Sequence, residues 1–310
     1  MVHDIQKVNL SMDTRTSDDI PRVKELFIFP IKSCGGVKVQ EALTTKFGLA
    51  LPSNPQLSDR RWMVIKNGRH QTQRVIPRMA LIQPSFVTDG ILLHAPDMPE
   101  LKISIYPLPT ETIECTLWDV PVKGLKYGFS VSEWFQKFLE TPDLDLVYFD
   151  ENQFDGRHCD RAELPNEARP QDVAAYQDMS PFHLLSTESF HDLNRRLPNP
   201  IKIYRFRPNI IVENVESPYA EDYWRQIKIG REGVTMTWLI CCTRCLLPTV
   251  DQETGIRDPD QQPWKTLKTY RLKPELYSVF SHFGIRLASD TNGIIRVGDE
   301  IEILKENKNF

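Results

Sequence analysis

Short apolar runs, each stopped by Gly, Pro, Asn or Asp, set the tightest limit on how this chain folds, because runs of that length and spacing read as strands. Residues 23–31 alternate and then turn apolar, ending at Lys32-Ser33-Cys34-Gly35-Gly36, a turn whose backbone amides can face an anion. Residues 62–65 follow Asp59-Arg60-Arg61 and lead into Lys66-Asn67-Gly68-Arg69, which carries the strongest short signal for a hairpin. Further strands are expected at residues 81–87, 91–94, 101–106, 113–118, 144–149, 210–212, 224–229, 235–240, 283–287 and 294–304. Two helices are expected. In the first, Ser130 and Glu133 have capping-box spacing, Val131, Trp134, Phe135, Phe138 and Leu139 form one buried stripe, and Thr141-Pro142 is the stop. The second runs from about residue 187 to 197, capped by Ser186 and ended by Pro198. Strands outnumber helices, so the expected class is α+β, mainly β, with a barrel rather than a doubly wound sheet.

A chain of 310 residues exceeds the roughly 250 to 300 at which a single core stops growing, so two domains are expected. The divisions are a flexible N-terminus at 1–22, a β-rich domain at 23–150, a connection at 151–171 rich in charge, Asn and Pro, and a β-barrel domain at 172–306. A formal charge of −4 argues against a general nucleic-acid binder. No stretch approaches the roughly 20 apolar residues that span a bilayer. The start is polar and carries Asp4, Asp13, Asp18 and Asp19, unlike a secretory or import signal, which leaves the cytoplasm as the expected address. Six unevenly spaced cysteines fit a reducing compartment rather than a disulfide framework.

Three of those cysteines crowd into Cys241-Cys242-Thr243-Arg244-Cys245, where thiols beside a guanidinium suit a soft metal with an anionic ligand. Cys242-x-x-Cys245 alone is half of a zinc site, but no second Cys-x-x-Cys or His-x-His completes it. Cys241 and Cys242 are read as core or supporting thiols, Cys34 as a small buried residue, Cys115 as structural, and His158-Cys159 as loop. His183 is a candidate proton donor set against a structural histidine.

The ordered set Phe29-Pro30-Ile31-Lys32-Ser33-Cys34, Asp59-Arg60-Arg61-Trp62, Thr72-Gln73-Arg74, Ser180-Pro181-Phe182, Arg205-Phe206-Arg207-Pro208-Asn209, Cys242-Thr243-Arg244-Cys245 and Ile295-Arg296-Val297-Gly298-Asp299 resembles the MOSC-domain family, named for the C-terminal part of molybdenum cofactor sulfurases. Each block alone is weak, whereas their order across most of the chain is specific. The resemblance implies a MOSC β-barrel domain behind an N-terminal β-rich MOSC-N companion. It is strongest to the branch that reduces N-hydroxylated compounds at a molybdenum cofactor, and so implies a molybdenum-dependent, amidoxime reductase-like oxidoreductase. By the same resemblance Cys245 is the thiolate ligand of molybdenum and the catalytic position. Lys32, Ser33, Arg60, Met179, Ser180, Arg207, Asn209, Thr243 and Arg244 are then contacts of the molybdenum–molybdopterin cofactor.

The residue types suit that cofactor. Lys32 is a mobile point charge and Arg60 and Arg207 are bidentate donors for its phosphate, Asn209 suits a pterin edge, and Arg244 beside Cys245 favours thiolate. Two features depart from the branch. Met179 stands where a hydroxyl residue is expected, so that only its backbone serves, and the membrane anchor of the animal enzymes is not seen. The implied substrate is small and N-oxygenated, and mitochondrial association is allowed by the resemblance. Haem, flavin, iron–sulfur and pyridoxal phosphate motifs are not expected, so electrons come from outside, by resemblance from a b-type cytochrome with an NADH-linked reductase. The alternative is a stand-alone module that binds, carries or sulfurates the cofactor without turnover.

Overall fold

The protein is described by a computed structural model covering residues 20–160 and 166–308. The expected flexible N-terminus lies outside the described residues except for its last three, of which Arg22 already opens the first strand. The structure is mainly β. Thr112–Leu117, Val120–Lys126, Leu144–Tyr148, Trp62–Lys66 and Arg69–His70 close a small barrel in the first half. An eight-stranded sheet dominates the second half, in the order Val37–Val39, Arg22–Ile28, Ile210–Glu213, Phe182–Ser186, His282–Ser289, Val234–Thr243, Trp224–Ile229 and Ile301–Glu306.

The two halves exchange strands. Arg22–Ile28, from the start of the chain, pairs antiparallel with Ile210–Glu213, while Gly293–Arg296, near its end, pairs with Glu41–Thr45. The turn after Arg22–Ile28 is therefore delivered to the sheet built by residues some 180 positions later. This exchange carries Lys32 and Ser33 to the second half.

Within the large sheet one pair is parallel, Phe182–Ser186 beside Ile210–Glu213, and a parallel pair needs a crossover. The helix Thr187–Arg196 supplies it and packs Phe190 and Leu193 against Leu185, Phe206 and Phe283. Every residue of Phe182–Ser186 is buried, including the polar His183 and Ser186, which find partners inside, as a strand covered on both faces requires. Ser186 caps the helix as expected, its Oγ accepting from Ser189 N. Ser186 Oγ and Ser189 Oγ also donate to the fully buried Glu221 carboxylate, at 2.8–3.0 Å.

Local signals succeeded where they specify backbone and failed where burial decided. The expected Asn67-Gly68 hairpin forms, both residues having positive φ (48° and 75°), between Trp62–Lys66 and Arg69–His70. The expected capping box does not: the helix spans Phe129–Leu139 with Gly128 as N-cap and no side-chain cap bond, so Ser130 lies inside its first turn. Glu41–Thr45, Gly48–Leu51 and Asn54–Ser58 form strands that were not expected, as do the short helices Trp264–Tyr270 and Pro274–Tyr277. The single strand expected at 294–304 is two, Gly293–Arg296 and Ile301–Glu306, separated at Gly298 with φ 91°. Replacing Ser186 with Ala removes a cap and takes one hydroxyl donor from a buried carboxylate, so Ser186→Ala is expected to cost about 1–3 kcal/mol, read as a lower urea midpoint.

Candidate functional site

Lys32, Ser33 and Arg60 from the first half meet Ser180, Arg207, Asn209, Thr243, Arg244 and Cys245 from the second around one cleft of about 90 Å³. Of the expected set only Met179 is not on its wall; that side chain is 4% exposed and packs into the sheet's core.

The first-half residues are placed by a crossing of the chain over itself. Lys32 N donates to Trp62 O at 2.8 Å, and Arg60 N to Phe29 O at 2.8 Å, so the Lys32 turn and the Arg60 turn hold each other. Gln73, from the Thr72-Gln73-Arg74 block, braces the same turn by donating to Ser33 O at 2.8 Å. Ser33, Arg60 and Arg207 all adopt left-handed backbone, with φ of 66°, 49° and 55°. None is glycine, and such conformations cost of order 1–3 kcal/mol each, a strain that collects at functional sites.

Asp59 is the hub. Fully buried, its Oδ1 accepts from Phe29 N at 2.9 Å, Asn209 Nδ2 at 2.8 Å and Arg60 Nη1 at 2.7 Å. Asn209 spends its remaining groups internally, Nδ2 donating to Phe27 O at 3.1 Å and Oδ1 accepting from Arg60 Nη1 at 3.2 Å. In this arrangement Asn209 orients Arg60. The Arg60 and Arg207 guanidinium carbons lie 4.6 and 4.3 Å from the Phe29 ring centroid. Arg61, next in sequence, turns away to Glu151.

Charge is concentrated at the cleft. Lys32, Arg60, Arg207, Arg244 and Arg286 line it against one carboxylate, Asp178. Burial pulls the Lys32 ammonium down to about 8 although Asp178 opposes it, and burial with Arg60 lowers Arg207 to about 9. Arg207 Nη1 donates to Cys34 O, while its buried Nη2 has no hydrogen-bond partner among the described residues. A crowded set of dehydrated cations with an unmet donor is a site for an anion. Burial pushes Asp178 up, but the facing Lys32 and Arg286 outweigh it and hold the carboxyl well below its usual range. The cleft is narrow because Lys32 and Arg207 lie on internal acceptors, Asp178 and Tyr176 O for one and Cys34 O for the other.

The thiols divide clearly. Cys34, Cys115, Cys159, Cys241 and Cys242 are buried, and Cys245 alone is not. Burial pushes the Cys34 and Cys159 thiols up to about 12, and neither lies on the cleft wall. Cys245 follows the end of Val234–Thr243 and precedes the 3-10 turn Leu247–Thr249, at the cleft wall. Arg244 was expected to serve its neighbour, yet its guanidinium runs inward to Phe283 O and to His183 Nε2. His183 is buried; burial, then Arg244 and Arg286, hold it neutral, and its Nε2 accepts from Arg244. That is a structural histidine and a poor proton donor at neutral pH. Gln177, Asp178 and Arg286 also line the cleft and were missed. Asp178 sits two residues before the Ser180-Pro181-Phe182 block, the one available signal.

The residues present fit a molybdopterin-type cofactor in two respects: a cationic end with an unmet donor for a phosphate, and one accessible thiol for a metal. A β-rich first half with a closed barrel, strand-exchanged with an eight-stranded sheet that presents a Cys-x-Arg-Cys segment, defines a two-part MOSC protein. Residues 20–142 match the MOSC N-terminal beta barrel domain and residues 171–302 the MOSC domain; the chain belongs to the MOSC-domain family. It is 37% identical over 294 residues to mitochondrial amidoxime reducing component 2 of Rattus norvegicus, covering 93% of this chain and 84% of that one. It is 36% identical over 296 residues to mitochondrial amidoxime-reducing component 1 of Mus musculus, covering 94% and 84%. The Homo sapiens component 1 is 35% identical over 296 residues, covering 94% and 85%. Among the described residues no helix is long and apolar enough to cross a membrane.

If Lys32 is one of the anion-binding charges, sulfate affinity of cofactor-free protein should fall as pH rises between about 7 and 8.5, through the Lys32 value. The ammonium binds the anion below that value and the neutral amine does not above it. Isothermal titration of Lys32→Met should show weaker binding and a flat profile over the same window.

Proposed function

We propose that this chain is a molybdenum-cofactor-dependent oxidoreductase that reduces small N-hydroxylated or N-oxide substrates, with the Cys245 thiolate as the protein's ligand to molybdenum. The observation that carries the reading is that the one cysteine not buried stands on the wall of a cleft where five cations converge. The names of the relatives, amidoxime reducing components, support the reaction class.

In this reading Lys32, Arg60 and Arg207 bind the cofactor's phosphate, and Asp59 with Asn209 fixes Arg60 so that little order is lost on binding. Ser33, Ser180 and Thr243 offer polar groups along the wall, with Met179 contributing backbone alone. Arg244, tied to Phe283 O and His183, anchors the segment that carries Cys245. The bound cofactor supplies two-electron removal of the substrate's N-bound oxygen, which leaves as water when protons and electrons are delivered. Electrons come from a separate donor, a b-type cytochrome with its NADH-linked reductase. Residues 23–150 and 172–306 are read as the two domains, both of which contribute to the cleft wall.

The test uses protein made in a cofactor-competent host. Wild type should hold molybdenum and reduce benzamidoxime with a chemical reductant. Cys245→Ser should lose at least about 100-fold in turnover while its unfolding free energy changes by no more than about 0.5 kcal/mol. Bound molybdenum without turnover in wild type would favour the carrier, and folded wild type without molybdenum would overturn the proposal.

A further inference from the structure

Asp222, Cys241 and His282 come from three separate segments and place one ligand atom each within 4.8 Å of one another, in the interior. Asp222 lies in the 3-10 turn Ala220–Tyr223, Cys241 near the end of Val234–Thr243, and His282 at the start of His282–Ser289. They are 4%, 0% and 1% exposed. None belongs to the cleft wall, and the cofactor reading makes no use of them.

The cluster is incomplete as a hydrogen-bonded one. Among the described residues neither ring nitrogen of His282 has a hydrogen-bond partner, although both are buried. Its nearest acid, Asp222 Oδ2, is 3.6 Å from Nε2, beyond hydrogen-bond reach. A buried imidazole with both nitrogens unmet costs free energy that some partner should offset. Cys241 Sγ donates a weak hydrogen bond to Asp222 Oδ1 at 3.8 Å, which leaves the imidazole as the unmet member of the cluster.

Those separations are close to the edges of a metal tetrahedron. Zinc–ligand lengths of about 2.3 Å to sulfur and about 2.0–2.2 Å to nitrogen or oxygen put neighbouring ligand atoms about 3.3–3.6 Å apart. The β-ladder is irregular here, with a register shift between Cys241 and Thr243 opposite His282–Ile285, as occurs where a bulge re-aims a side chain. Arg271 donates to Asp222 Oδ2, which leaves Oδ1 on the Cys241 side and fixes the carboxylate's plane, the usual role of an outer partner to a metal-bound carboxylate.

We propose that Asp222, Cys241 and His282 form a structural site for one divalent cation of borderline softness, zinc. On binding, the Cys241 S–H bond breaks and its proton goes to solvent; the thiolate and the Asp222 carboxylate supply two negative charges, the carboxylate shared with Arg271, so the loaded site keeps a net positive charge, and no electron is transferred. The ion ties the 3-10 turn to the two strands just before the Cys245 loop. The site is independent of the cofactor reading.

The test is metal analysis of full-length protein purified without chelator, run in parallel on wild type and Cys245→Ser so that zinc held adventitiously at the exposed thiol is separated. One zinc per chain should be found in both, and lost in Cys241→Ser and in His282→Ala. If those variants fail to fold, cobalt added to chelator-stripped Cys245→Ser protein decides, because a thiolate-to-cobalt absorption band should grow to one equivalent. Absence of that band, or zinc retained by a folded Cys241→Ser protein, overturns the proposal.

Discussion

The site depends on the buried Asp59 carboxylate. One oxygen of Asp59 accepts from Phe29 N in the first strand's tail, Arg60 Nη1 in the next turn and Asn209 Nδ2 in the second half, so three distant stretches share one acceptor. Removing it would leave a guanidinium and an amide unpaired in the interior, a cost of several kcal/mol. The Arg60 turn, the Lys32 turn and the Arg207 loop are thus one unit. That unit also explains why strand exchange between the halves matters, since Arg22–Ile28 brings Phe29 and Lys32 to a sheet made by residues 182–306.

What Asp59 assembles is electrostatically unfavourable alone. Five cations line the cleft against one acid, Lys32 and Arg207 are both pulled down by burial, and three residues hold left-handed backbone without being glycine. Charge repulsion and strain at one place are paid for by the surrounding packing, with Phe29 lying under two guanidinium groups. An anionic ligand would relieve the repulsion, so the cleft favours negative charge before any shape is read.

Sequence reasoning reached features whose cause is local. Asn67-Gly68 fixes a turn by its own φ angles, Ser186 caps by a bond three residues away, and both appear where expected. It failed where the cause is distant. Of the three missed strands at 41–58, Glu41–Thr45 pairs with Gly293–Arg296 about 250 residues on, and Gly48–Leu51 and Asn54–Ser58 extend that sheet from it one after the other. Lys32, Arg60, Arg207 and Cys245 could be grouped only through an ordered resemblance, since no spacing in a chain brings residues 32, 60, 207 and 245 together. Asp178 and Arg286 were passed over for the same reason, and Asp59 and Gln73 entered only as members of matching blocks, without a role, because most of their partners are far away. Arg244 was named both by resemblance and by adjacency to Cys245; it stands on the cleft wall, and its guanidinium is held by His183 and Phe283 O, contacts that no local signal announces.

The account's central claim is that one protein thiolate, from Cys245, completes a metal centre whose phosphate is held by the cations Asp59 assembles. X-ray absorption at the molybdenum edge tests it most directly, by counting sulfur neighbours in cofactor-loaded wild type and Cys245→Ser. The account predicts a dithiolene pair plus one further sulfur in wild type and the pair alone in the variant. The same sulfur count in both proteins would contradict it.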